Sequence, residues 1–510
     1  RSSSTAFSGE TSLDHTLSQV EDQLGAVGVD CSDRAPAGDG NLPSPVHSTL
    51  AFPVSDSDPT GLLRRALLSN EISLDRVRWD LRLQNFFDEI YILYPMLFIP
   101  DVKAIYNRLW DDWFLLPVEQ DQQVALRYRM QVAQILLCLA AGACTVSRRA
   151  STENGKHAAG WSLYCTAMDV IGDLFALIES DSPMEALQTL VLIVVYLLPL
   201  DGIERGQKVL SIAISYAHQV GIHRQKMLNR MSFFDDEMYR RIWWCIYIMD
   251  RRYALETGRP FLTQDFNIDT AMPRNCSDEW LATHHKNPQT SLELAGSLDA
   301  HLLEDHSTPV PYLCTMAQYC RILGKVWEIM YGADNIDALP GRFQIEYLET
   351  LLSKYEAEIP FKYQESSEHR DSDAEWRHVK QRALTRMRIS GLRLLIRQPL
   401  LRKPPSGPTE VQNYIGNEVM CLQFAHDIIE RHLQIPDKHP KFLYPFIHYL
   451  ANAATISLVI LIKEPLFRPT YGAATILAVR TLRSYCTKTW VSGKLIRSVM
   501  RLNQMIAMVL

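Results

Sequence analysis

From about Asn70 onward, apolar residues recur at the three- and four-residue spacing of a helix, and this period constrains the fold more than any other feature of the chain. Phe86, Phe87, Ile90, Tyr91 and Tyr94 carry it first, followed by Val132, Ile135, Leu136, Leu139 and Ala140. Further periodic segments cover about residues 158–179, 183–199, 205–220, 234–257, 311–331, 342–357, 374–397, 408–432, 441–463, 471–486 and 490–507. Strand-like alternation bounded by tight turns is absent, and so is a fixed-period repeat. Gly221 follows one helical segment, and Gly258 follows another two residues before Pro260, as helix stop signals do. The pattern predicts an all-α fold, a multi-helix array forming one large body over residues 71–510. Two polar stretches, 276–309 and 361–373, read as mobile surface loops.

With 510 residues, 47% of them hydrophobic, the chain can bury a large core. That length allows about three domains or one long helical array. The longest apolar run, Leu190 to Leu200, is half the roughly 20 residues of a membrane helix, and the serine-rich start has no basic-then-apolar leader pattern. Neither a membrane nor secretion is indicated. Ten Cys, none in Cys-x-x-Cys, suggest neither a disulfide framework nor a zinc ribbon. Nine acidic residues in the first 60 face only Arg1 and Arg34, while the remaining residues nearly balance. Those 60 residues hold two aromatics, Phe7 and Phe52, among many Ser, Thr, Gly and Pro, too little apolar surface to offset the entropy of ordering. Residues 1–70 are therefore expected to be a disordered acidic linker arm.

Searches for catalytic motifs fail. Ser492-Gly493-Lys494 lacks the upstream glycine of a phosphate loop, and Gly38-Asp39-Gly40 runs into Pro43 where a dinucleotide loop would start a helix. Asp56, Asp58 and Gly61 imitate a calcium loop, but Thr60 occupies a ligand position and Leu67 stands where the bidentate Glu belongs. Asp111-Asp112 leads to Leu115 and Asp235-Asp236 to Tyr239, so neither completes the Asp-Asp-x-x-Asp of magnesium-dependent diphosphate chemistry. The sequon at Asn275-Cys276-Ser277 matches by pattern only. No catalytic residue and no metal site is predicted.

One stretch is far more specific. Between Ala217 and Pro273 the chain reads AHQVGIHR, then EMYRRIWWCIYIMDRRYALETGRPFLTQDFNIDTAMP. Tyr239, Trp243 and Tyr247 fall at i, i+4 and i+8, bordered by Trp244 and Arg251, which gives one helix a heavy aromatic face. Arg240, Arg241, Arg251 and Arg252 flank Asp250. Past the Gly258-Arg259-Pro260 break, Asp265 and Asp269 are placed to return carboxylates to those arginines. The expected role is a structural ion-pair clamp around an aromatic core; a ligand site built from the same groups is the alternative.

At these residues the sequence resembles the regulatory, or middle homology, domain of the fungal zinc binuclear cluster transcription factors. The resemblance rests on Ala217, Gly221, His223 and Arg224; on Glu237, Arg240, Arg241, Trp243, Trp244, Tyr247, Asp250 and Arg251; and on Gly258, Arg259, Pro260, Asp265, Ile268, Asp269 and Pro273. The Trp pair is shifted by one residue from the family's spacing. Weaker likeness extends from Asn85-Phe86-Phe87 and Leu93-Tyr94-Pro95 to the Leu-rich segment Leu394–Leu400, so that roughly residues 85–400 are covered.

The resemblance implies an all-α regulatory domain of a nuclear transcription factor. Members of the family bind two zinc ions with an N-terminal six-cysteine cluster, which places a helix in the DNA major groove, often at CGG triplets read by a dimer. This chain has one Cys, Cys31, before Cys138, so that cluster cannot be built from it. The expectation is that the cluster lies upstream of Arg1, with the acidic arm as its linker. DNA binding and zinc then belong to the full-length protein, with no cofactor in this chain. Expected partners are DNA through that cluster, a second copy in a homodimer, and a coregulator or small-molecule effector. A helical scaffold or adaptor without DNA binding is the alternative, but it would not predict the Trp-Trp, Asp-Arg and Gly-Arg-Pro string.

The run from Trp376 to Lys403 holds Arg377, Lys380, Arg382, Arg386, Arg388, Arg393, Arg397, Arg402 and Lys403 and no acidic residue. Seven acidic residues lie between Glu356 and Glu375, and no aromatics are interleaved for base stacking, so an internally paired or solvated face is expected there. Cys138 with Cys144, and Cys314 with Cys320, read as buried thiols. His223, just past Gly221, is expected to make a structural hydrogen bond rather than bind a metal.

Overall fold

The computed structural model describes residues 9–26, 61–114, 122–147, 158–200, 202–284, 308–333, 340–364, 376–401, 408–435, 444–491 and 493–509. Among these there are helices and no strand, as the period predicts. The described residues divide into two compact units: those within 1–42, 251–261 and 318–510 form the first, those within 43–250 and 262–317 the second.

The second unit is organised around Gln122–Val146, whose residues from Val132 to Thr145 are buried without interruption. Helices Arg76–Phe86, Trp161–Ile171 and Pro183–Leu197 pack on it, and Ile203–Val220 packs on Pro183–Leu197. Such enclosure explains why residues 132–145 and most of Pro183–Leu197 are apolar nearly all round instead of amphipathic. After Arg76–Phe86 the chain makes one π turn, Phe87–Tyr91, and Ile90 to Phe98 are all buried. The extra residue of a π turn re-aims the side chains beyond it, and here the Tyr91 hydroxyl reaches Asp278 at 3.0 Å.

In the first unit, Trp376–Arg397, Pro408–Leu433, Tyr444–Lys463, Arg468–Lys488 and Gly493–Val509 each pack on the next. Gln122–Val146 and Tyr444–Lys463 have the length and apolarity of a membrane span, yet 83% of each apolar window is buried in protein. They are core helices.

Two helices form within the stretch expected to be a disordered arm. Leu13–Ala26 packs on Tyr444–Lys463 and Gly493–Val509, with Leu17, Val20 and Leu24 buried and Glu21 paired to Arg501 at 2.5 Å. Each such apolar side chain is worth about 1.5–3 kcal/mol on burial. Average composition over 60 residues hid their i, i+3, i+7 spacing. Leu62–Ser69 likewise buries Leu62, Leu63, Ala66 and Leu67. Residues 27–60, most of the 276–309 loop and residues 365–375 lie outside the described residues.

Candidate functional site

The signature lies on helix Phe233–Thr257 and on the loop after it. Nothing in that helix breaks it: no Pro or Gly interrupts residues 233–257. Ser232 caps its start, accepting a 3.1 Å bond from Asp235 N through Oγ and a 2.9 Å bond from Asp236 N through its carbonyl. Gly258, at φ +69°, ends it.

Within the second unit the loop runs back along the helix, held at nearly every turn by a polar tether. Asp250 accepts from Leu262 N at 3.0 Å, Thr263 N at 2.9 Å and Thr263 Oγ1 at 2.6 Å. One turn earlier, Tyr247 donates to Asp265 Oδ1 at 2.6 Å. Next, the Trp244 indole donates to the Ala271 carbonyl at 3.0 Å, and Arg240 to the Met272 carbonyl at 3.2 Å. Glu237 then accepts from Arg274 N at 2.8 Å, and Arg241 donates to the Cys276 carbonyl at 2.8 Å and to Asp278 at 2.6 Å. From Asp250 to Glu237 helix positions fall in steps of three and four while loop positions rise from 262 to 274. That spacing is the period of one helix face, and it accounts for the regular placement of polar groups within an aromatic helix.

Two charge clusters complete the zipper. Arg240 grips Asp236 through both carboxylate oxygens, at 2.6 and 2.9 Å, and Arg274 bonds both Asp236 and Glu237. Burial raises the pKa of Glu237, and the Arg274 guanidinium works against that rise. In the other cluster Asp278 receives Arg241 on one oxygen and both Tyr91 Oη and Ile99 N, each at 3.0 Å, on the other. Burial alone would lower the Arg241 pKa; Asp278 reverses this and holds the guanidinium charged. Asp278 thus ties the signature helix to the π turn and to helix Ile99–Asp111.

These pairings differ from the clamp expected from sequence. Arg240 and Arg241 reach Asp236 and Asp278 instead of Asp250, Asp265 or Asp269. At ~1.5 Å rise per residue, Asp250 lies too far along the axis for them. Asp269 meets Arg224 at 3.2 Å, both half exposed, and accepts from Gln225 N at 2.8 Å. Such an exposed pair stabilises little. Asp236, Thr263, Arg274 and Asp278 were not among the expected site residues. Asp236 alone carried a signal, since it precedes Arg240 by four.

Trp243, Trp244 and Tyr247 are fully buried, as an aromatic core requires. Trp243 packs beside His218 and His223, at ring distances of 5.7 and 6.0 Å. The structural bond expected of His223 comes from its backbone carbonyl, which accepts from Asp269 N at 3.3 Å, while Nδ1 of its ring has no hydrogen-bond partner among the described residues. Burial and the neighbouring His218 and Arg224 lower its pKa. Gly221 caps helix Ile203–Val220 at φ +83°, and Pro273, also buried, accepts from Cys314 Sγ through its carbonyl.

Arg251, Gly258, Arg259 and Pro260 belong to the first unit. Arg251 is buried over the Phe261 ring at 4.6 Å, and Arg259 N lies 3.4 Å from Thr257 Oγ1. Pro260 is exposed. Gly258 faces Gly9 backbone to backbone: a Cβ on Gly258 would stand 2.3 Å from Gly9 Cα. Three arginines of the basic run pair internally, one of the two arrangements expected for it. Arg386 and Arg393 bond Glu356 at 2.8 and 2.7 Å, and Arg397 bonds Glu349 at 3.1 Å. Cys138, Cys144 and Cys320 are buried free thiols and Cys314 is partly buried. Among the described residues no group of three or more His, Cys, Asp or Glu could hold a metal ion.

The chain matches the profile of the fungal specific transcription factor domain over residues 83–388. It is 27% identical over 149 residues to an uncharacterised transcriptional regulatory protein of Schizosaccharomyces pombe, covering 29% of this chain and 16% of that protein. It is 24% identical over 195 residues to pyrimidine pathway regulatory protein 1 of Saccharomyces cerevisiae, covering 36% and 20%. With the Zn(2)-C6 fungal-type transcription factor pigI of Monascus ruber it shares 27% identity over 147 residues, covering 29% and 16%. The matched segments thus span a fifth or less of these relatives' own length. No solved structure matches significantly. With three fifths of its length inside the matched profile and the signature intact along one helix, the chain belongs to the fungal specific transcription factor domain family.

Proposed function

We propose that this chain is the regulatory part of a nuclear transcription factor that controls RNA polymerase II transcription, with DNA recognition supplied by a two-zinc, six-cysteine cluster outside residues 1–510. The zipper between helix Phe233–Thr257 and residues 262–278 carries this reading, because it turns the residues shared with the family into one folded clamp. The clamp's work is structural: it holds the helical body in the conformation that a coregulator, a small-molecule effector or a second copy of the chain recognises. The chain regulates and does not catalyse. In the relatives' names, transcriptional regulation and Zn(2)-C6 type point the same way.

Joining residues 1–510 to an unrelated DNA-binding domain in a fungal nucleus tests this. Reporter output should move several-fold from that of the DNA-binding domain alone, and Asp250→Ala should abolish the change. Output indistinguishable from the DNA-binding domain alone would favour the scaffold reading.

A further inference from the structure

A cleft of about 250 Å³ opens in the first unit between helix Leu13–Ala26, the short turn Gln398–Leu401 and helix Tyr444–Lys463. Its apolar wall is aliphatic: Leu401, Ile456 and Val459 line it, and among the described residues no aromatic ring does. Its polar wall is made largely of side-chain amides, those of Gln19, Gln23 and Gln398, with the exposed carboxylate of Asp22 beside them.

Two polar groups on this side already have partners. Thr16 donates through Oγ1 to the Ser12 carbonyl at 3.1 Å, and Gln19 Nε2 lies 3.2 Å from a ring nitrogen of His15. Gln23 differs: its Oε1 is buried and has no hydrogen-bond partner among the described residues. Gln398, only 5% exposed, brings a second amide to the same lining. An unpaired buried carbonyl carries its full desolvation penalty, so an occupant that donates to it gains there. Rotation about the last side-chain bond of a glutamine exchanges its oxygen and its NH2 group, which lets the Gln23 amide present either one to the cleft.

The chemistry of the two walls selects among small ligands. An amide offers a donor and an acceptor side by side in one plane, and a second primary amide is the group that matches both at once. A carboxylate only accepts, and it would meet the charge of Asp22; an ammonium only donates, and it leaves the glutamine N–H groups without a partner. An aliphatic wall offers no ring face for stacking or for cation–π attraction, so the body that suits it is an alkyl chain. The volume lies below the roughly 300–1,000 Å³ of sites for drug-sized ligands, which keeps that chain short.

We infer that this cleft binds a short aliphatic carboxamide, its amide paired with those of Gln23 and Gln398 and its alkyl chain on Leu401, Ile456 and Val459. Helix Leu13–Ala26 is one wall of the cleft, so an occupant would pin that helix to Tyr444–Lys463. Just before the helix, Gly9 donates to the Thr257 carbonyl at 2.9 Å. Occupancy therefore bears on the segment that grips the end of the signature helix. That such an amide is the effector rests on the regulatory function proposed for the chain; that it binds does not.

Ligand-observed NMR titration of residues 1–510 with pentanamide, beside pentanoate and N,N-dimethylpentanamide, tests binding apart from transcription. Pentanamide should bind saturably, in the millimolar range expected of so few atoms. The two controls lack N–H donors and should bind at least several-fold more weakly. Gln23→Leu should weaken pentanamide binding several-fold with little change in unfolding temperature, because its Oε1 bonds nothing among the described residues of the folded chain. Gln398→Leu should weaken binding by a similar factor. Should either variant fail to fold, hydrogen exchange on the unaltered chain decides: pentanamide, and not its dimethyl analogue, should slow exchange in Leu13–Ala26 and leave Gln122–Val146 unchanged. Absent pentanamide binding, equal binding of either control, full binding by both glutamine variants, or unchanged exchange in Leu13–Ala26 would each overturn the inference, whatever the reporter fusion shows.

Discussion

Asp250 and Thr263 are joined twice, the carboxylate accepting from the threonine backbone N–H at 2.9 Å and from its hydroxyl at 2.6 Å. With the Leu262 N–H at 3.0 Å on the other oxygen, three donors depend on one buried side chain. Asp250→Ala strands them, at a cost of about 2–4 kcal/mol, and the unfolding temperature should fall by roughly 4–16 °C at about 2–4 °C per kcal/mol. Trp243→Ala removes core packing in the same helix at about 3–5 kcal/mol. Thermal unfolding of the two side by side checks both, and an unchanged midpoint for Asp250→Ala would remove the zipper's end from the stabilising contacts.

Arg241 and Asp278 form a buried pair at 2.6 Å. Arg241→Ala leaves a carboxylate buried without its counter-charge, at a cost of about 3–5 kcal/mol. Replacing both together, with Arg241→Met and Asp278→Leu, should cost less than the two single changes summed, because neither charge is then stranded. A double-mutant cycle by denaturant unfolding measures the coupling, and strict additivity would contradict it.

Much of the signature helix was legible because each turn repeats a large aromatic or a charged group on one face, and spacing alone reports a face. Its partners were not legible in the same way. The register at which a loop lies against a helix depends on where the chain turns, and no local period encodes that. Asp278 meets Arg241 across 37 residues of sequence separation and Tyr91 across 187, which no spacing rule could announce. Leu13–Ala26 was obscured for the opposite reason: Leu17, Val20 and Leu24 have helical spacing, but the Ser, Pro and acidic residues around them dominated the average.

Gly258 at φ +69° closes on Gly9, whose N–H donates to the Thr257 carbonyl at 2.9 Å. Gly258→Ala adds a left-handed penalty of about 1–2 kcal/mol and a Cβ where the Gly9 backbone lies. Residues 9–26 should detach, becoming rapidly cut in limited proteolysis and losing amide protection, while Trp376–Arg397 keeps its own. Undiminished protection of Leu13–Ala26 would show that the Gly9 contact does not hold that helix.

Acid should weaken the domain through its histidines. Burial lowers the pKa of His223, His218 and His448; His218 and Arg224 lower His223 further, while Asp250 partly offsets the shift at His218, Asp269 that at His223 and Glu256 that at His448. A base with a depressed folded-state pKa takes its proton more readily when unfolded. Stability is therefore level above the unfolded value near 6.5 and declines as pH falls below it toward the folded values. Unfolding midpoints measured between about pH 7.5 and 5 should drop on the acid side, less steeply in His223→Gln. A profile that rises with acid would contradict the lowered pKa of these rings.

The division of labour is the central claim: residues 1–510 regulate, and sequence readout of DNA lies elsewhere. With a net charge of −6, one Cys before Cys138 and, among the described residues, Arg386, Arg393 and Arg397 already paired to Glu356 and Glu349, these residues are expected to offer little of the phosphate neutralisation that drives DNA affinity. Fluorescence anisotropy of residues 1–510 with a duplex bearing paired CGG triplets, against a scrambled duplex of the same composition, measures this at fixed salt. Weak and equal binding to both is expected. Tight binding that prefers the CGG duplex would place DNA recognition within these residues and contradict the claim.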